Sequence, residues 1–118
     1  GSSLNQVWTN LIDNAIDALA KQSNGKITLN TSRHGNYVLI EITDNGPGIP
    51  TKIQSRIFEP FFTTKEIGQG TGIGLDLVYR IVVVEHHGNI NCFSEPGNTK
   101  FQVKLPINSV VEFEKAFV

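Results

Sequence analysis

A strand that ends in a carboxylate constrains the fold of this chain more than any other stretch. From residue 37 to residue 43 apolar and polar residues alternate, which predicts a β-strand with Val38, Ile40 and Ile42 on one face. Asp44 continues the alternation, so its side chain is expected on the apolar face, and a Gly- and Pro-rich segment follows at once. A buried carboxylate is costly unless a partner donates hydrogen bonds to it. This stretch alone leaves two interpretations open: an exposed Asp in a turn, or a buried acceptor that meets a donor.

An apolar stripe over residues 4–22 predicts the first helix. The stripe consists of Leu4, Val7, Trp8, Leu11, Ala15, Ala18 and Leu19, and it is widened by Ile12 and Ile16. A polar row beside the stripe contains Asn10, Asn14, Asp17 and Lys21. Asparagine is a poor helix former, so two asparagines one turn apart in mid-helix indicate a functional role other than stabilising the helix. A solvated helix face is the alternative for such a row.

The rest of the chain predicts a sheet and a second long helix. The predicted strands are residues 26–33, 37–43, 89–95 and 99–106, and the predicted helix ends near residue 85. His34-Gly35-Asn36 and Pro96-Gly97-Asn98 are typical of turns between antiparallel neighbours. This order of elements favours an α+β fold, a two-layer α/β sandwich with helices on one face of a mixed, mostly antiparallel sheet.

Two segments between the strands have unusual composition. Residues 57–65 contain three phenylalanines without a helical or strand period, which suggests a hydrophobic latch in a loop or a minor core cluster beneath it. Gly70-Thr71-Gly72-Ile73-Gly74-Leu75 precedes the second helix, where free amide groups and the helix dipole favour an anion. This stretch is neither G-x-G-x-x-G nor a P-loop.

Composition limits the classes of function. The chain has 118 residues, of which 39% are hydrophobic and 18% charged, as is typical of one globular domain. A net charge of -1 gives no basic field, so we expect no nucleic-acid partner and no membrane contact by this domain. Cys92 is the only cysteine, which excludes an internal disulfide and a cysteine-based zinc site.

The ends of the chain suggest an excised fragment. There is no methionine, and Gly1-Ser2-Ser3 is typical of a cloning remnant. We therefore expect the folded domain at residues 4–106 and a C-terminal tail or linker at residues 107–118.

Four stretches in order resemble the N, G1, F and G2 boxes of sensor histidine kinases. They are Asn10-Leu11-Ile12-Asp13-Asn14-Ala15, Asp44-Asn45-Gly46-Pro47-Gly48, Phe58-Glu59-Pro60-Phe61-Phe62-Thr63-Thr64-Lys65 and Gly70-Thr71-Gly72-Ile73-Gly74-Leu75. Gly97-Asn98-Thr99-Lys100-Phe101 and the final Leu105-Pro106 also look like the closing strands of that family. The resemblance covers residues 4–106. It implies the Bergerat-type ATP-binding fold that these kinases share with DNA gyrase, the Hsp90 chaperones and MutL.

The resemblance also assigns roles to individual residues. Asp44 would accept the exocyclic amine of adenine, Asn14 would give its amide oxygen to Mg²⁺, and Asn10 would contact phosphate or metal-bound water. Asn10 and Asn14 are therefore the implied catalytic residues, and Asn14 is the implied metal ligand. The implied nucleotide contacts are Asn14, Asp44, Gly46, Gly48, Ile49, Phe61, Lys65, Gln69, Gly70, Thr71, Gly72, Ile73, Gly74, Leu75 and Thr99.

A lid between Ile49 and Gly70 is part of the same resemblance. The three phenylalanines Phe58, Phe61 and Phe62 would anchor this lid. Lys65 would contact the phosphates, with Gln69 as the alternative, and the amides from Gly70 to Gly74 would hold them.

The activity implied is that of a protein histidine kinase catalytic domain. It would bind Mg-ATP and donate the γ-phosphoryl group to a histidine on a separate dimerisation domain, with a response regulator receiver domain downstream. The hydrolysing members of the superfamily carry a Glu where this chain has Asn10, and an amide cannot act as a general base. An ATP-hydrolysing conformational switch of the gyrase, Hsp90 and MutL type is the alternative. Because ATP is cytoplasmic, we expect a cytoplasmic domain, whose parent protein can be membrane-anchored.

Overall fold

The computed structural model of this chain describes residues 3–59 and 74–107. The elements in chain order are α1 (Ser3–Ala18), β1 (Ile27–His34), β2 (Tyr37–Asp44), α2 (Thr51–Gln54), α3 (Gly74–Tyr79), a π-helical segment (Arg80–Glu85), β3 (Asn89–Glu95) and β4 (Asn98–Pro106). No helix in these two ranges has the length and apolar character needed to cross a bilayer. The predicted domain limits at residues 4 and 106 remain predictions, and residues 108–118 of the predicted tail lie outside the described ranges.

In the part of the chain that the structure describes, four strands form one sheet in the order β1-β2-β4-β3. Every pairing among the described strands is antiparallel, so the parallel pairing that a mixed sheet requires is not found among them. The β1–β2 hairpin closes with His34 opposite Tyr37, and Gly35 in its two-residue turn has φ 61°. The sheet and the helices form the two-layer α/β sandwich that the order of elements predicts.

The core lies between the helices and one face of the sheet. Alternation places Ile40 and Ile42 of β2 and Phe101 and Val103 of β4 on that face, where all four are buried. The buried apolar cluster consists of Leu4, Val7, Trp8, Leu11, Ile40, Ile42, Ile57, Val78, Ile81, Val82, Ile90, Phe101, Val103 and Leu105. Since α1 and the α3–π helix supply its other layer, both helices lie on the same side of the sheet.

Helix α1 is shorter than predicted and its apolar stripe is narrower. The helix ends at Ala18 instead of residue 22, and Ala20 N–H donates to Asp17 O at 3.2 Å in the tighter i→i+3 pattern of a terminating helix. Ala18 is exposed, and Ile16 is 54% exposed, so neither belongs to the buried stripe. Periodicity gives the angular position of a side chain, but whether a neighbour covers it depends on the tertiary packing.

The first part of the phenylalanine-rich segment belongs to the core. Ile57 is 4% exposed and is a member of the buried cluster. The ring of Phe58 lies 5.9 Å from that of Tyr79 and meets that of Phe101 edge-on at 6.3 Å, both measured between centroids. For these two residues the core interpretation is therefore correct.

The second helix changes its geometry at Arg80. The π-helical segment contains Ile81-Val82-Val83-Val84, and His86 N–H donates to Ile81 O at 3.1 Å across five residues. Four consecutive β-branched side chains crowd the turns of an α-helix, and the wider π turn separates them. The sequence predicts a helix here, and the observed helix is wider over its last six residues.

The burial of Leu11 and the exposure of Ile16 predict different losses of stability when each residue is replaced by alanine. We expect Leu11→Ala to lower the free energy of unfolding by about 3 kcal/mol, because Leu11 is fully buried in the core. Ile16→Ala on the same helix should cost less than about 1 kcal/mol, because Ile16 is largely exposed. Urea unfolding followed by the fluorescence of Trp8, the only tryptophan, measures both. Equal costs would contradict the position of α1 on the sheet.

Candidate functional site

Asp44 lies at the end of β2 and is only 5% exposed. The Gly46 N–H donates to its Oδ1 atom at 2.9 Å. Burial raises the pKa of the Asp44 carboxyl above its ordinary value of 3.8, and the hydrogen bond from Gly46 acts in the opposite direction. The exposed-turn interpretation is therefore wrong, and the side chain is a buried acceptor, as the strand alternation predicts.

A row of polar side chains crosses the sheet from Asp44. Thr99 of β4 is opposite Asp44 in the register, and Ser94 of β3 is opposite Thr99. The hydroxyl oxygens of Ser94 and Thr99 are 2.7 Å apart, and Ser94 Oγ also accepts the Ile49 N–H at 2.8 Å. The Gln54 amide donates to Ile49 O at 2.8 Å and to Ser94 O at 3.0 Å. These bonds tie the loop after Asp44 to the β3–β4 hairpin.

The loop after Asp44 approaches its neighbours so closely that it needs glycine. A Cβ atom on Gly46 would lie 2.8 Å from Asp44 Oδ1 and 3.3 Å from the Ala18 side chain. A Cβ atom on Gly48, which has φ +90°, would lie 2.8 Å from Glu95 O. Without side chains at these two positions, the loop can pack closely against Asp44, the end of α1 and the end of β3.

Asn45 fixes the other side of this loop. Its side-chain oxygen accepts the Lys26 N–H at 2.7 Å, and its side-chain nitrogen donates to Asn24 O at 3.1 Å. The Gln22 amide donates to the Asn45 backbone oxygen at 3.1 Å. Asn45 therefore holds the segment between α1 and β1 against the end of β2.

Asn10 of α1 contacts the start of α3. Asn10 Nδ2 donates to Gly74 O at 3.3 Å, and a Cβ atom on Gly74 would lie 3.3 Å from Asn10 Cγ. Asn14, one turn further along α1, is half-buried, as is Leu75. The structure therefore places Asn10, of the stretch that resembles the N box, beside Gly74, which belongs to the stretch that resembles the G2 box.

Several predicted site residues fall outside the described ranges. They are Phe61, Lys65, Gln69, Gly70, Thr71, Gly72 and Ile73. The described residues bring Asp44, Gly46, Gly48, Ile49 and Thr99 together at one end of the sheet, while Asn10 and Gly74 are in contact where α1 and α3 meet. Asn14 lies on α1 and Leu75 on α3, and both are half-buried.

The remaining titratable candidates among the described residues are not grouped as metal ligands. Cys92 is half-buried, and burial together with the negative charge of Asp44 raises the pKa of its thiol to about 11, so it remains a protonated thiol at neutral pH. Among residues 3–59 and 74–107, no three His, Cys, Asp or Glu side chains are grouped as metal ligands. His86 and His87 follow directly after the π-helical segment Arg80–Glu85.

Sequence reasoning missed three residues of this site. Ser94 could have been found, because a tight turn at residues 96–97 puts it opposite Thr99. Asn45 lies within the stretch that resembles the G1 box, but its hydrogen-bond partners Lys26 and Asn24 are distant in the chain, so no local pattern indicates them. Gln54 has no local pattern at all, since its role depends on where α2 packs.

The sequence of this chain matches a known protein family. Residues 1–109 match the protein family described as histidine kinase-, DNA gyrase B- and HSP90-like ATPase. Sensor kinase CckA of Brucella abortus is 43% identical over 117 residues, which cover 86% of this chain and 12% of CckA. The chain spans about a third or less of the length of the other first curated relatives.

Solved structures agree with the sequence matches. The catalytic domain of histidine kinase ThkA, in a nucleotide-free form, has a TM-score of 0.78 and 36% identity, covering 88% of this chain and 66% of that one. ThkA in complex with response regulator protein TrrA has a TM-score of 0.69 and 33% identity, covering 86% of this chain and 27% of that one. Full-length ShkA in complex with AMPPNP has a TM-score of 0.73 and 29% identity, covering 88% of this chain and 21% of that one.

Proposed function

Because this chain belongs to the histidine kinase-, DNA gyrase B- and HSP90-like ATPases, as a sensor histidine kinase catalytic domain, we propose that it binds Mg-ATP and phosphorylates a histidine. The histidine lies on a separate dimerisation domain. Asp44 carries this proposal, because its carboxylate is buried at the end of β2 and the Gly46 N–H is the one hydrogen bond described for it. The exocyclic amine of adenine supplies the hydrogen-bond donor that such an acceptor needs.

The metal and phosphate end of the site fits Mg²⁺. Asn10 and Asn14 offer amide oxygens, which are hard ligands, and Asn10 uses its amide nitrogen on Gly74 O. Asn14 is the proposed direct ligand, and Asn10 would contact phosphate or metal-bound water. Bound Mg²⁺ would supply neutralisation of the phosphate charge and leave room in its shell for phosphate oxygens and water. The remaining proposed phosphate contacts include Lys65, Gln69 and the amides of residues 70–74.

Phosphoryl transfer suits this residue set better than hydrolysis does. The γ-phosphoryl group would pass from the β–γ bridging oxygen of ATP to a ring nitrogen of the acceptor histidine, leaving ADP. This chain would bind and orient ATP for in-line attack and exclude water, which are the main requirements of such a reaction. Asn10 stands where a water-activating carboxylate would be needed, and its amide has no basic site at neutral pH.

The proposed partners follow from the reaction. One is the histidine-bearing dimerisation domain of the same kinase, and the other is a response regulator receiver domain that takes the phosphoryl group onward. The complex of the similar kinase ThkA with response regulator TrrA supports the second partner. Because the substrate is ATP, the domain would work in the cytoplasm, and its parent protein can be anchored in a membrane.

Calorimetry with an unhydrolysable ATP analogue, with and without Mg²⁺, tests the proposal. We expect binding that Mg²⁺ strengthens. When radiolabelled ATP and the dimerisation domain of a related kinase are added, the label should appear as acid-labile phosphohistidine, and the chain alone should release little phosphate. Rapid phosphate release without an acceptor would favour the hydrolysing switch. A chain that binds no analogue would be a docking module, and the proposal would be wrong.

The proposed role of Asn14 as a Mg²⁺ ligand can be tested separately from the recognition of adenine. We expect Asn14→Ala to weaken Mg²⁺-dependent binding of the ATP analogue by about tenfold, because an oxygen ligand of the metal is lost. Binding without Mg²⁺ should change little. Asn91→Ala is the matched control, since Asn91 is exposed on β3 and pairs only with Asn89 among its described hydrogen bonds. Equal effects of the two substitutions would remove Asn14 from the site.

A further inference from the structure

Ser94 lies at the centre of the hydrogen bonds beside Asp44. Its hydroxyl oxygen accepts the Ile49 N–H at 2.8 Å and is 2.7 Å from Thr99 Oγ1. Its backbone oxygen accepts from Gln54 at 3.0 Å. Thr99 is 4% exposed and lies between Ser94 and Asp44 in the register of the sheet. Ser94 is therefore separated from the carboxylate by one strand, β4, and contacts the Thr99 hydroxyl on that strand.

The number of hydroxyl hydrogens limits how this row can be arranged. Ser94 has one hydroxyl hydrogen and two lone pairs, and Ile49 N–H occupies one lone pair. If Ser94 donates to Thr99, its hydrogen is used and the Thr99 hydrogen is left to point away from Ser94. If Thr99 donates instead, Ser94 needs another acceptor for its own hydrogen. In either arrangement one hydroxyl hydrogen has no acceptor among these hydrogen bonds, so the charge beside each hydroxyl decides between the two.

The charge of Asp44 favours the first arrangement, in which Ser94 donates to Thr99. Asp44 and Thr99 are directly opposite each other on one face of the sheet, which places their Cβ atoms about 5 Å apart. A negative carboxylate at this distance attracts the hydrogen of the Thr99 hydroxyl toward its own side. The site then presents a carboxylate acceptor next to a hydroxyl donor.

We propose that Ser94 is a positioning residue for purine recognition, because it holds the Thr99 hydroxyl as a donor toward N1 of adenine. This inference rests on the proposed function. Adenine presents a donor at its exocyclic amine and an acceptor at N1, which matches the acceptor and donor of Asp44 and Thr99. Guanine presents an acceptor at O6 and a donor at N1, the reverse order. The Thr99 hydroxyl reaches N1 directly or through one ordered water.

A ligand that lacks N1 provides the test. Calorimetry would compare ADP with 1-deaza-ADP, in which a C–H group replaces N1. We expect wild type to bind 1-deaza-ADP about fivefold more weakly than ADP. Ser94→Ala should bind ADP about fivefold more weakly than wild type, with no further loss for 1-deaza-ADP, because its Thr99 hydroxyl is no longer held. The preference for ADP over GDP should also fall in Ser94→Ala.

Matched variants separate positioning from a structural role. Ser94→Thr keeps a hydroxyl and should keep the dependence on N1, and Thr99→Val should lose it as Ser94→Ala does. Ser32→Ala removes an exposed hydroxyl on β1 that contacts His34 and should behave as wild type. If Ser94→Ala weakens both ligands by the same factor, its role is structural and the inference is wrong. If wild type fails to bind ADP, the proposed function itself is wrong.

Discussion

Asp44→Asn is expected to weaken the binding of adenine nucleotides by about a hundredfold, the loss of charge-assisted hydrogen bonds from the adenine amine. Asparagine has nearly the same shape, and its oxygen can still accept the Gly46 N–H. Its amide nitrogen, however, is a hydrogen-bond donor, and the adenine amine that it would face is also a donor. Calorimetry with ADP at neutral pH measures the loss.

The same substitution should leave the free domain at least as stable as wild type. Burial raises the pKa of Asp44, so the folded chain binds a proton more readily than the unfolded chain does. The stability contributed by Asp44 is therefore greatest below its unfolded pKa and falls as the pH rises through the folded pKa. The amide of Asp44→Asn has no charge to bury, so the stability of this variant does not fall in this way as the pH rises. Urea unfolding at several pH values should show an advantage for Asp44→Asn at pH 7 that shrinks toward acid pH.

Asp13→Asn is the matched control for both measurements. Asp13 lies on the exposed side of α1, so this substitution removes the same charge without touching the site. It should leave nucleotide affinity within about twofold of wild type and stability within about 0.5 kcal/mol. If Asp44→Asn binds ADP as wild type does, adenine is not recognised at this carboxylate. If it is clearly less stable at pH 7, the carboxylate is stabilising in the free domain and the argument from burial is wrong.

Much of the site follows from strand alternation and short turns. Period-two alternation places Asp44 on the same face as Ile40 and Ile42, and its burial follows because that face meets the helices. The turn at Gly97 fixes the β3–β4 register, so Thr99 and Ser94 are opposite each other. Sequence is informative here because the relevant geometry is local.

Other features depend on packing that no local pattern contains. Ile16 has the period of a core residue but is 54% exposed, because no neighbouring element in the described ranges covers its side of α1. Gln54 reaches the site only because α2 packs beside β3. Helix periodicity also cannot distinguish the α-helix from the π-helical segment that follows it, although the β-branched residues 81–84 reveal the crowding.

Gly48→Ala is expected to cost roughly 3 kcal/mol of stability and more than tenfold in nucleotide affinity. At φ +90° any other L-residue is strained, and the added Cβ would lie 2.8 Å from Glu95 O and 2.9 Å from its carbonyl carbon. These are backbone atoms that cannot rotate away, so the loop has to move from β3. The Ile49–Ser94 hydrogen bond would be lost with that movement.

Gly97→Ala separates the overlap from the backbone strain. Gly97 has φ +86°, close to that of Gly48, but among the described residues no atom outside its chain neighbours lies within 4 Å of a Cβ placed there. It should therefore cost only the strain of a left-handed alanine, about 1 kcal/mol, and leave nucleotide affinity within about twofold. Urea unfolding and ADP calorimetry on both variants measure the difference. Equal losses of stability would mean that strain alone explains Gly48. An unchanged affinity in Gly48→Ala would show that the nucleotide does not depend on the position of this loop.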